Sequence, residues 1–271
     1  MSKGNDSIQK TVFVALAVSL VCAIFVSAAA VLLKPIQDVN KTLNLKENIL
    51  RAASMIEGDR KPSKKEVEEL FKQITPAIVN LETGEYVDPK SIGFDSVDQF
   101  DERRAAKVPK LSEVLPGEQD IAKLKRQEKY AKVYLVKKEG KLDKVILPIR
   151  GYGLWSTLWG FIALEGDGNT VVGLTFYEHA ETPGLGGEVD NPRWKAQWPG
   201  KKVYDEKGQV RAKLVKGGVV KGSPDEPYAV DALAGATLTS NGVTNLIQYW
   251  LGEHGFKKYL ERVAKGEANN V

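Results

Sequence analysis

The 271-residue chain is 42% hydrophobic and carries a net charge of +4, enough apolar material for a sizeable core in one or two domains. Its lysines and arginines are spread out, without the basic blocks of a nucleic-acid-binding arm, so DNA or RNA is not an expected partner. One cysteine, Cys22, and two histidines, His179 and His254, exclude a disulfide framework or a Cys-rich zinc or iron–sulfur centre within the chain, and no metal site is expected.

An N-terminal tail, residues 1–10, contains Lys3 and Lys10 and precedes an uncharged run of 23 residues from Thr11 to Leu33. At 1.5 Å per residue that run is long enough to cross a bilayer, and it predicts a single transmembrane helix over 11–33. Ser27-Ala28-Ala29-Ala30 resembles a signal-peptide cleavage site, but Val31-Leu32-Leu33 extends the apolar run past it, which favours a retained anchor. Cys22 lies mid-run without the small residue that precedes a lipoprotein cysteine. Lys34, Lys41, Lys46 and Arg51 follow the span, yet long domains translocate largely regardless of such charges, so the count leaves the membrane side open.

Residues 34–130 read as a connecting region, helical and irregular, entered through Lys34-Pro35. Asn44 to Ile56 has a helical pattern, and Ser63-Lys64-Lys65-Glu66 fits a capping box ahead of Val67, Leu70, Phe71 and Ile74, with Pro76 ending that helix. Ala77 to Leu81 and Tyr86-Val87 suggest a short hairpin, and Asp88 to Lys129 a charged surface excursion. From residue 131 the pattern turns to strands. Lys132–Lys137 and Lys144–Ile149 flank Glu139-Gly140; Trp159–Leu164 and Thr170–Tyr177 flank Gly166 to Asn169; Lys202–Tyr204 and Val210–Lys216 flank Lys207-Gly208. Helices over Ser240–Leu251 and around Phe256, Tyr259, Leu260 and Val263 close a domain over 131–271. Strands followed by helices, with no βαβ rhythm and no Gly-x-Gly-x-x-Gly, predict an α+β fold: helices packed on a mainly antiparallel sheet, not a dinucleotide-binding Rossmann unit.

The stretch Asp231-Ala232-Leu233-Ala234-Gly235-Ala236-Thr237-Leu238-Thr239-Ser240-Asn241-Gly242 runs into the amphipathic pattern Val243, Leu246, Ile247, Trp250, Leu251. Its hydroxyls therefore stand at a helix N-terminus, either as an ordinary turn capped by Thr239 or Ser240 or as an anion site, because unpaired N–H groups and the helix dipole favour phosphate. Ala234, Gly235 and Ala236 leave space for a bulky group to approach Thr237. Two loops add to this: Arg150 to Gly160, with Trp155, and Glu178 to Gly187, where Pro183-Gly184 fits a type II turn and Gly186-Gly187 lets backbone approach a planar ligand. Trp155 and Leu185 offer apolar contact for a ring. No Gly-x-Ser-x-Gly elbow or Cys–His pair supports a hydrolase.

Asp-x-x-(small)-Gly-Ala-Thr followed by Leu-Thr-Ser resembles the flavinylation motif of FMN-binding subunits in bacterial respiratory complexes. Gly-Tyr-Gly-Leu-Trp-Ser, His-Ala-Glu-Thr-Pro-Gly-Leu-Gly and the Gly-Ala-Thr segment occur in the order seen in the C subunits of the Na⁺-translocating NADH:quinone oxidoreductase, and the similarity spans the chain. The resemblance implies FMN joined by a phosphodiester to Thr237. It places Ala236, Leu238 and Thr239 around the phosphate and Trp155, Thr182, Leu185 and Gly186 near the ring or ribityl chain. Lys216 becomes a cationic neighbour or an ordinary surface lysine, His179 a structural residue, and Glu181 has no assigned role. It also implies an inner-membrane, single-pass protein with its soluble domain in the periplasm. Partner subunits would oxidise NADH, reduce ubiquinone and export Na⁺, and a flavin transferase using FAD and Mg²⁺ would mature the chain. The alternatives are the flavin-bearing G subunit of an Rnf-type ferredoxin:NAD⁺ complex and a flavin-free membrane-anchored binding module.

Overall fold

The computed structural model describes residues 7–56 and 60–269, so the first six residues of the expected tail and the last two of the expected flavin domain lie outside the described residues. The chain divides into two compact units, one ending at Asn44 and one starting at Leu45.

The first unit is a single helix, the greater part of α1 (Ile8–Ala52). Among the described residues α1 is the one helix long and apolar enough to cross a membrane, and Phe13, Leu16, Leu20, Phe25 and Leu32 along it are exposed. Contrary to the expected exit at Lys34-Pro35, the helix continues through Pro35. Proline there removes one hydrogen bond, to the residue four positions back, while the segment from Ile36 to Ala52 contains neither glycine nor a second proline, so an established helix propagates. The helix expected over Asn44–Ile56 is thus the end of α1.

In the second unit those last turns lie on a sheet. Ile49, Leu50 and Ala52 are fully buried, the Thr175 hydroxyl donates to the Asn48 carbonyl at 3.3 Å, and Lys144 Nζ donates to the Ala53 carbonyl at 3.1 Å. A side chain at Gly173 would fall 2.6 Å from the Ala52 carbonyl, so the close approach requires glycine there. Helix α2 (Lys64–Phe71) is capped as expected, with the Ser63 hydroxyl accepting the Glu66 N–H. It ends before Pro76, which instead lies inside strand β1 (Ile74–Asn80). β1 is an edge strand, where a residue without an N–H is tolerated.

After β1 come a short helix α3 (Glu102–Ala105), strands β2 (Ser112–Val114) and β3 (Arg126–Glu128), and the long strands β4 (Tyr130–Lys138), β5 (Lys141–Tyr152), β6 (Thr157–Glu165) and β7 (Val171–Glu178). The main sheet has the order β1-β4-β5-β6-β7 and is antiparallel throughout. The expected β4–β5 and β6–β7 hairpins are present. Glu139 and Gly140 both take positive φ, 52° and 78°, the backbone of a tight hairpin turn whose twist matches its strands.

The third expected hairpin is not. Tyr204 and Val210 share a single bridge, while strand β8 (Lys213–Val215) pairs in parallel with β9 (Ala229–Asp231) after the short helix α4 (Pro192–Lys195) and the loop that follows. A parallel partner needs a crossover rather than a turn, and the Lys207-Gly208 signal says nothing about it. Helices α5 (Thr237–Trp250) and α6 (Lys257–Ala264) complete the chain. Val243, Leu246, Ile247 and Trp250 of α5 and Tyr259 and Leu260 of α6 join Leu135, Leu147, Ile149 and Ile162 of the sheet in the main core. The fold is α+β, with helices on an antiparallel sheet.

A smaller cluster, Ile78, Phe100 and Ala105, packs elsewhere on the sheet. Beside it Glu102 accepts the Lys132 N–H at 2.9 Å. Burial raises the Glu102 carboxyl to about 7, against the pull of Lys132. A raised carboxyl disfavours the charged form in the fold, so the penalty is absent at acid pH and grows as pH rises towards 7. Glu102→Gln keeps the acceptor and removes the charge. It is expected to stabilise the protein above about pH 7, by at most about 3 kcal/mol, with the gain falling away as the pH drops to about 4, as read from melting temperature against pH.

Candidate flavin site

Three segments distant in sequence converge at the N-terminus of α5. The first is the loop between β5 and β6, closed by the Gly153 N–H donating to the Ser156 carbonyl at 2.8 Å. Behind it, Arg150 is buried against Glu128, 2.5 Å away, while its guanidinium lies over the Trp159 and Trp250 rings and its carbonyl accepts the Trp250 indole N–H at 2.7 Å. This ties the start of the loop to α5. Trp155, at the loop's tip, is 63% exposed.

The second is the loop after β7. Leu185 N–H donates to the Thr182 carbonyl at 3.1 Å, and Gly184 has φ +75°, closing the expected Pro183-Gly184 turn. The Gly187 N–H donates to the same carbonyl at 2.9 Å, so Thr182 acts through its backbone, its side chain exposed. His179 Nδ1 accepts the Glu181 N–H and Nε2 lies 2.8 Å from the Asp190 carboxylate, whose hydrogen bond holds the imidazole above its usual pKa. His179 thus braces the loop.

The third is the Asp231–Thr237 turn. Asp231 Oδ1 accepts the Val219 N–H at 2.7 Å, joining the turn after β8 to this segment. Gly235 has φ +70°, and a side chain on it would meet Leu185 at 3.0 Å. Ala236 is the N-cap and no side chain caps the helix, so the N–H groups of the first turn, from Thr237 to Thr239, have neither a helical nor a side-chain partner. The expectation that Thr239 or Ser240 caps the helix is corrected: both lie inside it, with their hydroxyls engaged elsewhere. Ser240 Oγ accepts the Leu233 N–H at 3.0 Å and donates to the Ala236 carbonyl. Thr239 Oγ1 donates to Glu181 at 2.6 Å. Thr237, the first helical residue, is exposed.

The structure therefore brings together Thr237, Leu238, Thr239, Ala236, Leu185 and Gly186; a Cβ on buried Gly186 would fall 2.5 Å from Thr239 Oγ1. Trp155 and Thr182 border the same place through Glu181. Lys216 is exposed in the turn after β8, next to the Val215–Asp231 pairing and the Ala232 N–H to Val215 carbonyl hydrogen bond, and among the described residues its own side chain makes no hydrogen bond or ion pair with the motif.

Glu181, given no role from sequence, is the hub. Only 5% exposed, it accepts N–H groups from Leu154, Trp155 and Ser156 as well as the Thr239 hydroxyl. Burial pushes its carboxyl up, but the Thr239 hydroxyl and the Trp155, Leu154 and Ser156 N–H groups outweigh that and hold it below the usual carboxylate range. Its one signal in the sequence is an acidic residue set close to several glycines.

These residues fit a flavin phosphate. An exposed hydroxyl stands at a helix start whose N–H groups are free to bind an anion, and the three converging segments carry exposed apolar side chains, Trp155, Leu185 and Leu238.

The FMN-binding domain family matches residues 153–252, which includes all three segments. The chain is 51% identical to the C subunit of the Na(+)-translocating NADH-quinone reductase of Pseudomonas aeruginosa, over 97% of this chain and 99% of that one. It is 46% identical to the corresponding subunit of Vibrio anguillarum, over 99% and 100%. The crystal structure of Shewanella oneidensis NqrC superposes with a TM-score of 0.70 at 37% identity, covering 82% of this chain and 96% of that one. The crystal structure of the same subunit from Parabacteroides distasonis gives 0.62 at 28%, covering 84% and 96%. With exposed Thr237 at the head of α5 inside a matched FMN-binding domain, and full-length relatives at this identity, the chain belongs to the family of C subunits of the Na(+)-translocating NADH-quinone reductase.

Proposed function

We propose that Thr237 carries FMN as a phosphodiester and that through it this subunit relays electrons within a membrane complex that oxidises NADH, reduces ubiquinone and exports Na⁺. The observation that carries the proposal is the exposed Thr237 hydroxyl at an uncapped helix start, tied through Thr239 and Glu181 to the loop that carries Trp155. The N–H groups of Thr237, Leu238 and Thr239 hold the phosphate, and the small side chain of Ala236 leaves it room. Trp155 and Leu185 flank the ring and exclude water from its faces, and Thr182 and Gly186 line the approach with backbone. When bound, FMN passes electrons singly or in pairs. Covalent attachment means the cofactor is retained between encounters with a donor and an acceptor.

A threonine hydroxyl is a weak nucleophile unless activated, and Glu181, the buried carboxylate of the site, is held by Thr239 and not by Thr237. Attachment therefore needs a dedicated flavin transferase, and the resemblance implies one that uses FAD and Mg²⁺. The Thr237 oxygen bonds to the FMN phosphorus of FAD, the pyrophosphate bond breaks, AMP leaves, and the hydroxyl proton passes to the transferase. The subunit is anchored in the membrane by α1. No ionisable residue other than Cys22 lies between Thr11 and Leu33, so other subunits form the ion path.

Co-expression with an active flavin transferase, followed by a denaturing gel, tests the proposal: the band is expected to fluoresce as a flavin. A dark band beside a fluorescent control substrate contradicts it.

We further propose, from the resemblance, that the soluble domain lies in the periplasm. Cys22 is the sole native thiol and lies within the span, so Lys110→Cys, at an exposed position, adds one reporter outside it. Membrane-impermeant maleimide is expected to label that thiol in intact cells; labelling only after lysis would place the domain in the cytoplasm.

A further inference from the structure

Glu181 is more heavily engaged than a turn requires. Its Oε1 accepts the N–H groups of Leu154 and Trp155, both at 3.0 Å, and of Ser156 at 3.4 Å. Its Oε2 lies 3.2 Å from the Leu154 N and 2.6 Å from the Thr239 hydroxyl. The donors belong to the β5–β6 loop and to the first turn of α5, the segments that present Trp155 and Thr237. Two glycines make room: a Cβ at Gly153 would fall 2.6 Å from Oε1, and one at Gly186 2.7 Å from Oε2. Among the described residues no lysine or arginine forms an ion pair with Glu181. Its charge is met by N–H dipoles, one hydroxyl and the positive end of α5. Burying a charge without a counter-ion is costly, and an amide would fasten two segments more cheaply but would not accept from every one of these donors.

We infer that Glu181 is the positioning residue of the flavin site: by fastening the Trp155 loop to the first turn of α5 it forms the cleft around Thr237 before flavin arrives, and its fixed negative charge in the cleft wall lowers the reduction potential of the attached flavin. This rests on the proposal that Thr237 carries FMN. Because Thr239 and not Thr237 donates to Glu181, the attachment hydroxyl stays exposed while the turn that bears it is held.

The test uses the full chain with an active transferase, FAD and Mg²⁺, comparing wild type with Glu181→Ala, Glu181→Gln, Thr239→Val and Thr237→Ala. Three quantities are read: quenching of Trp155 emission by acrylamide before loading, with Trp155→Phe as the subtraction; the rate of flavin attachment; and the midpoint potential after loading. Glu181→Ala is expected to raise Trp155 quenching and slow attachment by about tenfold or more, the scale of a misplaced reacting group. Glu181→Gln, which keeps the shape and part of the hydrogen bonding, is expected to load at an intermediate rate and to shift the potential upward. Thr239→Val, which keeps the Glu181 charge but loses its bond to α5, should slow attachment without that upward shift. Unchanged quenching, rate and potential in both Glu181 variants overturn the inference. Where Glu181→Ala fails to fold, Glu181→Gln and Thr239→Val decide. A wild-type chain that stays unloaded beside a labelled control substrate overturns the flavin assignment instead, and Trp155 quenching in the unloaded variants still decides whether Glu181 fastens the loop.

Discussion

Thr237→Ala is expected to abolish covalent flavin while leaving the fold intact. The side chain is exposed and caps nothing, so its loss shifts stability by no more than about 0.5 kcal/mol, the ordinary range for surface positions. Thr237→Ser keeps a hydroxyl at the same place and is expected to load, at a rate set by how well the transferase accepts serine. In the assembled complex the alanine variant should lose NADH-driven quinone reduction to background while its melting temperature stays at the wild-type value. Retention of covalent flavin in the alanine variant would move the attachment point to another hydroxyl, Thr239 or Ser240, both of which are buried and already hydrogen-bonded.

The second large effect concerns the support beneath the Trp155 loop. Arg150 and Glu128 are 8% and 3% exposed and meet at 2.5 Å, and Arg150 Nε has no hydrogen-bond partner. Glu128→Ala leaves a buried guanidinium unpaired and is expected to cost about 3–5 kcal/mol. The double substitution Arg150→Met with Glu128→Leu removes both charges and should recover most of that loss, less the cation–π contribution over Trp159 and Trp250. Urea unfolding followed by tryptophan emission measures both. A loss under about 1 kcal/mol for Glu128→Ala would mean that water reaches Arg150 and that the pair is not a buried one.

The features legible in the sequence are local ones. The uncharged run from Thr11, the Ser63 cap, the Glu139-Gly140 turn and the apolar face of α5 each arise from residues close to one another in the chain, where spacing and turn chemistry decide. The features it hides are set at long range. β1, from the region read as a connection, joins the main sheet by pairing with the distant strand β4. β8 and β9 pair in parallel across a loop that has no helical or strand periodicity. Pro35 suggests an exit that the rest of α1 overrides. The site divides in the same way. Thr237 with its small neighbours, and the Pro183-Gly184 turn, are legible as motifs. Glu181 is not, because its role exists only once residues 154–156 and 239 have been brought to it.

The attachment of FMN to Thr237 is most directly tested by fragment-mass mapping of the full chain after co-expression with an active transferase. The peptide containing Thr237 is expected to be heavier by one FMN less one water, with fragmentation placing the addition on Thr237 itself. A Thr237 peptide of unmodified mass, from a preparation in which a control substrate is fully flavinylated, would contradict it.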